Sequence, residues 1–114
     1  MTVDERIRNA LIGFGDPVEN EIYQGKAERY YTFNYMSFGA DFADDVPQHE
    51  RYLVQVHFIA PLGENISARK KATKQALFAA GFTWPEVQSL TNENARHVVF
   101  ECEIADGVML DGDA

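Results

Sequence analysis

The sequence predicts an α+β fold: a mostly antiparallel sheet of four to five strands with two helices packed on one face. Three observations predict it. Residues 50–60 and 96–104 alternate between apolar and polar side chains, as half-buried strands do. Residues 64–80 repeat with a helical period, and a shorter helical stripe opens the chain. The resulting order, helix, three strands, helix, two strands, segregates helices from strands and so argues for one layered domain.

In residues 2–13, Val3, Ile7, Ala10 and Leu11 recur at helical spacing. Thr2 with Glu5 has the form of a capping box, and Gly13 and Gly15 supply stop signals. Asp16-Pro17 then bends the chain towards a strand. Residues 18–24 alternate, with Val18, Asn20, Ile22 and Gln24 on one side and Glu19, Glu21 and Tyr23 on the other. Gly25-Lys26-Ala27 reads as a turn, and residues 29–36 are rich in Tyr, Phe and Thr, which fit a pleated surface. These two segments are expected to form a hairpin.

Residues 37–48 follow neither period. They hold Gly39, Pro47 and the aspartates Asp41, Asp44 and Asp45 around Phe38 and Phe42, and so read as a long loop. A loop of that length in a small domain is commonly functional, and two aromatics make it an adhesive one. In residues 50–60, Tyr52, Val54, Val56, Phe58 and Ala60 share one face, opposite Leu53, Gln55, His57 and Ile59. Pro61 ends the strand, because it cannot donate to a ladder.

The helix over residues 64–80 takes Ser67 or Asn65 as its cap. Ile66, Thr73, Leu77 and Ala80 form its inner line, Ala72, Ala76 and Ala79 allow close packing, and Gly81 supplies a left-handed stop. Phe82 and Trp84 restart extended structure, and Pro85 marks an edge strand or bulge. Residues 86–90 continue it, Asn92-Glu93-Asn94 turns, and residues 96–104 form the last strand with Val98, Phe100, Cys102 and Ile104 inward.

Residues 1–105 therefore read as a single domain, since 114 residues are too few for two independent cores. Residues 106–114 form a small acidic tail whose apolar pattern is confined to Val108-Met109-Leu110. It reads as a frayed end or as a short segment that docks on a neighbouring subunit.

The formal charge is −8, from 18 acidic and 10 basic residues. Nucleic-acid binders need a positive patch to displace counterions, so direct DNA binding is not expected. Arg69-Lys70-Lys71 with Lys74 reads as a solvated helix face. An acidic protein can still sit beside DNA that slides past without sticking. No apolar run approaches the ~18 residues of a membrane span, and residues 1–8 lack a signal peptide's apolar stretch, so a cytosolic chain is expected. Cys102 is the only cysteine, which excludes an internal disulfide, and its strand position makes it a core residue.

No catalytic motif stands out. The bases on offer are His49, His57 and His97, but no Gly-x-Ser-x-Gly elbow accompanies them. Gly13-Phe14-Gly15 follows a helix, lacks a third glycine and a Lys-Ser or Lys-Thr pair, and is a helix stop. His97, Glu101 and Glu103 share the polar face of the last strand, and His57 lies on the polar face of its own. If those strands pair, imidazole and carboxylate groups could converge on a zinc-like ion, but the spacing is generic. Asp41, Asp44 and Asp45 do not match the spaced ligands of a calcium loop. The sequence therefore predicts no enzyme, no cofactor and no metal, and points to a domain that works by binding protein.

The order of short motifs resembles the tail-completion or tail-terminator proteins of long-tailed phages and prophages. After a first helix come Asp16-Pro17-Val18, Tyr23-Gln24-Gly25 and Tyr30-Tyr31-Thr32-Phe33-Asn34-Tyr35. Phe42-Ala43-Asp44-Asp45 and Val54-Gln55-Val56-His57-Phe58 follow, and then Ala80-Gly81-Phe82 and His97-Val98-Val99-Phe100, so the likeness extends to Ile104. His57 departs from the acid that such proteins often carry there. The resemblance implies a non-enzymatic virion subunit, commonly a hexameric ring, that caps the head-proximal end of the tail tube. Its implied partners are further copies of itself, the tail tube protein and head-connector proteins, with DNA passing but not specifically bound and no membrane. Its implied location is the bacterial host cytoplasm during assembly, then the tail or neck of the virion. A ring needs heterologous contacts, for which Phe38, Phe42, Asp44 and Asp45 in the loop and Met109 and Leu110 in the tail are the candidates. The alternative is a small non-enzymatic module with one dedicated protein partner.

Overall fold

The computed structural model describes residues 2–43 and 46–105, with the backbone alone for residues 40–43 and 46–49. Helix α1 spans Val3–Leu11. The Thr2 hydroxyl accepts the Glu5 N–H at 3.1 Å, and the Glu5 carboxylate reaches back to the Thr2 N–H at 3.5 Å, which completes the expected capping box. Val3, Ile7 and Leu11, spaced at four residues, are fully buried. The helix tightens into a 3₁₀ turn over Ile12–Phe14 and stops at Gly15, whose φ of 86° is left-handed. Gly13 lies inside that turn and stops nothing.

Strand β1 is shorter than predicted, Val18–Asn20, and it pairs parallel to β2, Tyr30–Ala43, where a hairpin was expected. The reason lies at Glu21, which takes a left-handed φ of 64° while Ile22 N–H bonds the Asn20 carbonyl at 2.7 Å. The chain turns out of the strand there, and the following residues return it to the start of β2. The tilted ring contact of Tyr23 with Tyr30, 4.4 Å between centroids, and the Ala27 N–H donated to the Tyr23 hydroxyl at 2.9 Å shape that return.

Strand β3, Val46–Ala60, runs antiparallel to β2 from Tyr30↔Ile59 to Ala43↔Val46. Strand β5, Arg96–Ala105, pairs antiparallel with β3, and β4, Glu86–Ser89, lines its far edge. The sheet order is β1-β2-β3-β5-β4. The predicted loop over residues 37–48 is thus corrected: residues 37–43 and 46–48 are strand, in a ladder that carries Pro47 opposite Phe42. Among the described residues no third strand pairs with β3 at that level, and a proline is tolerated on such an edge.

Helix α2 spans Ser67–Ala79, with Asn65 Oδ1 accepting the Ser67 N–H at 3.0 Å. Its end is a Schellman motif: Phe82 N–H bonds the Leu77 carbonyl at 3.2 Å and Gly81 N–H the Phe78 carbonyl at 3.1 Å. Gly81 has the φ of 105° that this geometry needs. Ile66, Thr73 and Leu77 point inward as predicted.

One core results. Val3, Ile7 and Leu11 of α1 and Leu77 of α2 meet Tyr31, Phe33, Val54, Val56, Phe58, Phe100 and Ile104 on the same face of the sheet. The alternation of β3 and β5 is therefore observed as read. Cys102 is buried among these residues, and burial, with the nearby charge of Glu103, pushes its thiol up to about 12, which suits a core side chain and not a nucleophile. The described residues contain no helix long and apolar enough to cross a membrane.

Candidate functional site

Two features leave ordinary packing unfinished: a two-stranded arm, and the sheet face that carries no helix. The arm follows from register. β1 covers β2 only at Tyr31, Thr32 and Phe33, and β5 reaches β3 only as far as Arg51. Beyond Arg51 the ladder continues through Gly39↔Glu50 to Ala43↔Val46 with β2 and β3 paired to each other alone among the described residues. A ribbon with no further strand among the described residues leaves N–H and C=O groups along its edges for another chain to pair with.

The candidate interface residues fall unevenly on this arm. Phe38 stands on β2 opposite Arg51 at the arm's base and is 40% exposed, close to Met36, which is 61% exposed. Phe42 occupies β2 opposite Pro47 near the described end of the ladder, and its side chain lies outside the described residues. Asp44, Asp45, Met109 and Leu110 also lie outside them.

The face opposite the core bears Asn34, Leu53, Gln55, His57, His97, Glu101 and Glu103, the outward partners in the same alternation. Most of its polar groups pair across strands. Arg51 Nε donates to Glu103 at 3.1 Å and Gln55 Nε2 to Glu101 at 3.3 Å. Glu86 nevertheless sits directly opposite Glu101, a like-charge pair that costs stability.

All three histidines stand on strands, and the structure brings two of them, His57 and His97, together. His57 faces Val99 in the ladder and His97 faces Ile59, so the two rings are diagonal neighbours. Their Nδ1 and Nε2 atoms lie 2.8 Å apart and their centroids 5.1 Å. Burial lowers the pKa of both rings, and at His57 the charge of His97 lowers it further. The pair sits in a cleft of about 640 Å³, also lined by Tyr23, Tyr30, Asn92 and Asn94. Glu101 and Glu103, the expected carboxylate companions, are turned to Gln55 and Arg51 instead. No three His, Cys, Asp or Glu side chains converge among the described residues.

Two groups differ from their sequence reading. Arg69, read as part of a solvated basic face, bonds Asp16 at 2.6 Å and lies over the rings of Phe14 and Phe58 at 5.0 and 5.1 Å, so it ties α2 to the segment before β1. The exposed pair Phe78 and Trp84, 5.5 Å apart with Lys74 over the indole at 5.8 Å, forms an apolar patch near β4. The sequence did carry a signal for it, because Phe78 falls off the inner line of α2.

No family model matches the chain, and no curated protein matches it. Solved structures do. One whose name is a bare sequence designation aligns over 89% of this chain and 90% of its own, with a TM-score of 0.59 and 13% identity. At that identity the likeness extends to the fold alone.

Proposed function

We propose that the chain is a structural subunit of a long-tailed phage or prophage virion, a tail terminator or head–tail joining protein that forms a ring on the tail tube. The observation that carries this reading is the arm. A two-stranded ribbon is marginal in water, and edges left unpaired among the described residues invite further pairing, so the arm gains most when another subunit covers it. In a ring, the arm of one copy lies against a different patch of the next, which is the heterologous contact that closure requires. The partners are further copies of the chain, the tail tube protein and head-connector proteins, and the role needs no catalysis.

The order of motifs supports the phage assignment, and the charge supports the setting. With a net charge of −8, and Glu86, Glu101 and Glu103 on the helix-free face, that face turned to a lumen would repel passing DNA. Electron microscopy of the concentrated chain tests the reading. Closed rings with the acidic sheet face inward are expected. Rings with that face on the outer wall would remove the DNA argument, and single particles in complex with one other protein would favour a dedicated binding module instead.

A further inference from the structure

We infer that His57 and His97 together bind one divalent late-transition-metal ion of the zinc class, held between His57 Nδ1 and His97 Nε2 and completed by water. This is independent of the assembly reading. Cross-strand geometry carries it. The rings come from diagonal positions on two antiparallel strands inside the sheet, so the backbone fixes both Cβ positions before any ion arrives. Their facing nitrogens are 2.8 Å apart. Two imidazoles bound to a tetrahedral ion at about 2.0–2.1 Å would place those atoms about 3.3 Å apart, so the nitrogens need to part by about half an ångström while the rings swing until both lone pairs meet the ion.

The protonation states agree. Burial favours the neutral form of each ring, and neutral imidazole is the ligating species. In the hydrogen-bonded pair one ring donates its N–H to the other. On binding, that proton moves to the distal nitrogen of its own ring, so both facing lone pairs meet the ion and no proton is released. The cleft of about 640 Å³ leaves room for the remaining water ligands, and Asn92 and Asn94 in its wall offer them amide partners. Glu21 lines the same cleft, and the chain's net charge of −8 draws cations towards it. With two protein ligands the site is open, unlike a closed four-ligand structural zinc site, and the ion exchanges readily.

The test is a titration of the full chain with ZnCl₂ in chelator-free buffer at neutral pH, followed by imidazole ¹⁵N–¹H correlation spectra and by calorimetry. The rings of His57 and His97 are expected to shift together and saturate at one ion per chain while His49 stays unmoved. Loss of a partner that merely orients a ligand costs about 10–100-fold in metal affinity, so His57→Ala and His97→Ala are each expected to cost at least about tenfold. Glu101→Gln should leave the affinity unchanged. Absence of saturable binding overturns the inference, as does saturation with both rings unmoved, which would place the ion among the carboxylates. The ring spectra of the unaltered chain decide the matter even if a substituted chain fails to fold.

Discussion

The hydroxyl of Tyr31 donates a hydrogen bond to Thr73 Oγ1 across 2.8 Å, and the direction is fixed by a third residue. Thr73 spends its own proton on the Arg69 carbonyl, 2.7 Å away, so Tyr31 must be the donor. Both residues are fully buried, and the bond joins the centre of the sheet to α2. Burial raises the Tyr31 pKa, which keeps the phenol protonated and able to donate. Thr73→Val strands that donor and is expected to cost about 1–3 kcal/mol, whereas Tyr31→Phe should cost about 0.5–1.5 kcal/mol. Urea unfolding of both variants and of the double variant checks this. The double variant should cost less than the sum, because it removes the Tyr31 donor that Thr73→Val alone leaves orphaned.

The pH dependence of stability should follow the histidine pair. Folding lowers the pKa of His57 and His97 below their value of 6.5 in the unfolded chain, so below that point the unfolded chain binds more protons. Stability is complete above 6.5 and is lost as pH falls from there through the lower folded values. Glu21 lines the same cleft, and its negative charge works against burial, which is the largest cause of both downward shifts. Glu64, held below 4.5 by its hydrogen bonds to Arg29, acts only in a separate and more acid window. Urea midpoints in metal-free buffer at about pH 7.5 and about pH 5.5 bracket the histidine window. The difference should shrink in the His57→Gln, His97→Gln double variant.

Gly81→Ala isolates backbone strain. A Cβ there would meet only Arg6 Nη1 at 3.5 Å and Ile104 Cδ1 at 3.7 Å, which are ordinary contacts. The φ of 105° is what alanine resists, at about 1–2 kcal/mol for a left-handed residue. Thermal unfolding should show that loss without a change in the circular dichroism of the folded chain.

These local features were legible because each is written in a few adjacent residues. The Thr2–Glu5 box, the Gly81 stop and the alternation of residues 50–60 and 96–104 need no distant partner to be recognised. The arm was not legible for a physical reason. Alternation records a difference between two faces of a strand packed on one core, and residues 37–48 carry no such alternation. Gly39 and Pro47 then read as loop signals. The parallel pairing of β1 was hidden in one left-handed residue, Glu21, of a type that seldom adopts such a φ. The histidine pair needed the register of β3 on β5, which places His57 and His97 one diagonal apart; polar-face membership alone left them generic.

Phe42→Asp separates assembly from folding. Phe42 lies on the arm, beyond the levels where β1 and β5 join the ladder, so the core should survive the change while self-association weakens. Equal circular dichroism with a lower oligomer fraction in sedimentation is the expected outcome. Unchanged association would remove the arm from the interface.

On the proposed function, this chain works by joining copies of itself. The most direct measurement is its solution mass by light scattering behind a sizing column, across a wide concentration range. A discrete oligomer is expected that grows with concentration, a hexamer above all, and that falls to monomer in the Phe42→Asp chain. A mass that stays at one chain, 12.9 kDa, at every concentration would contradict it.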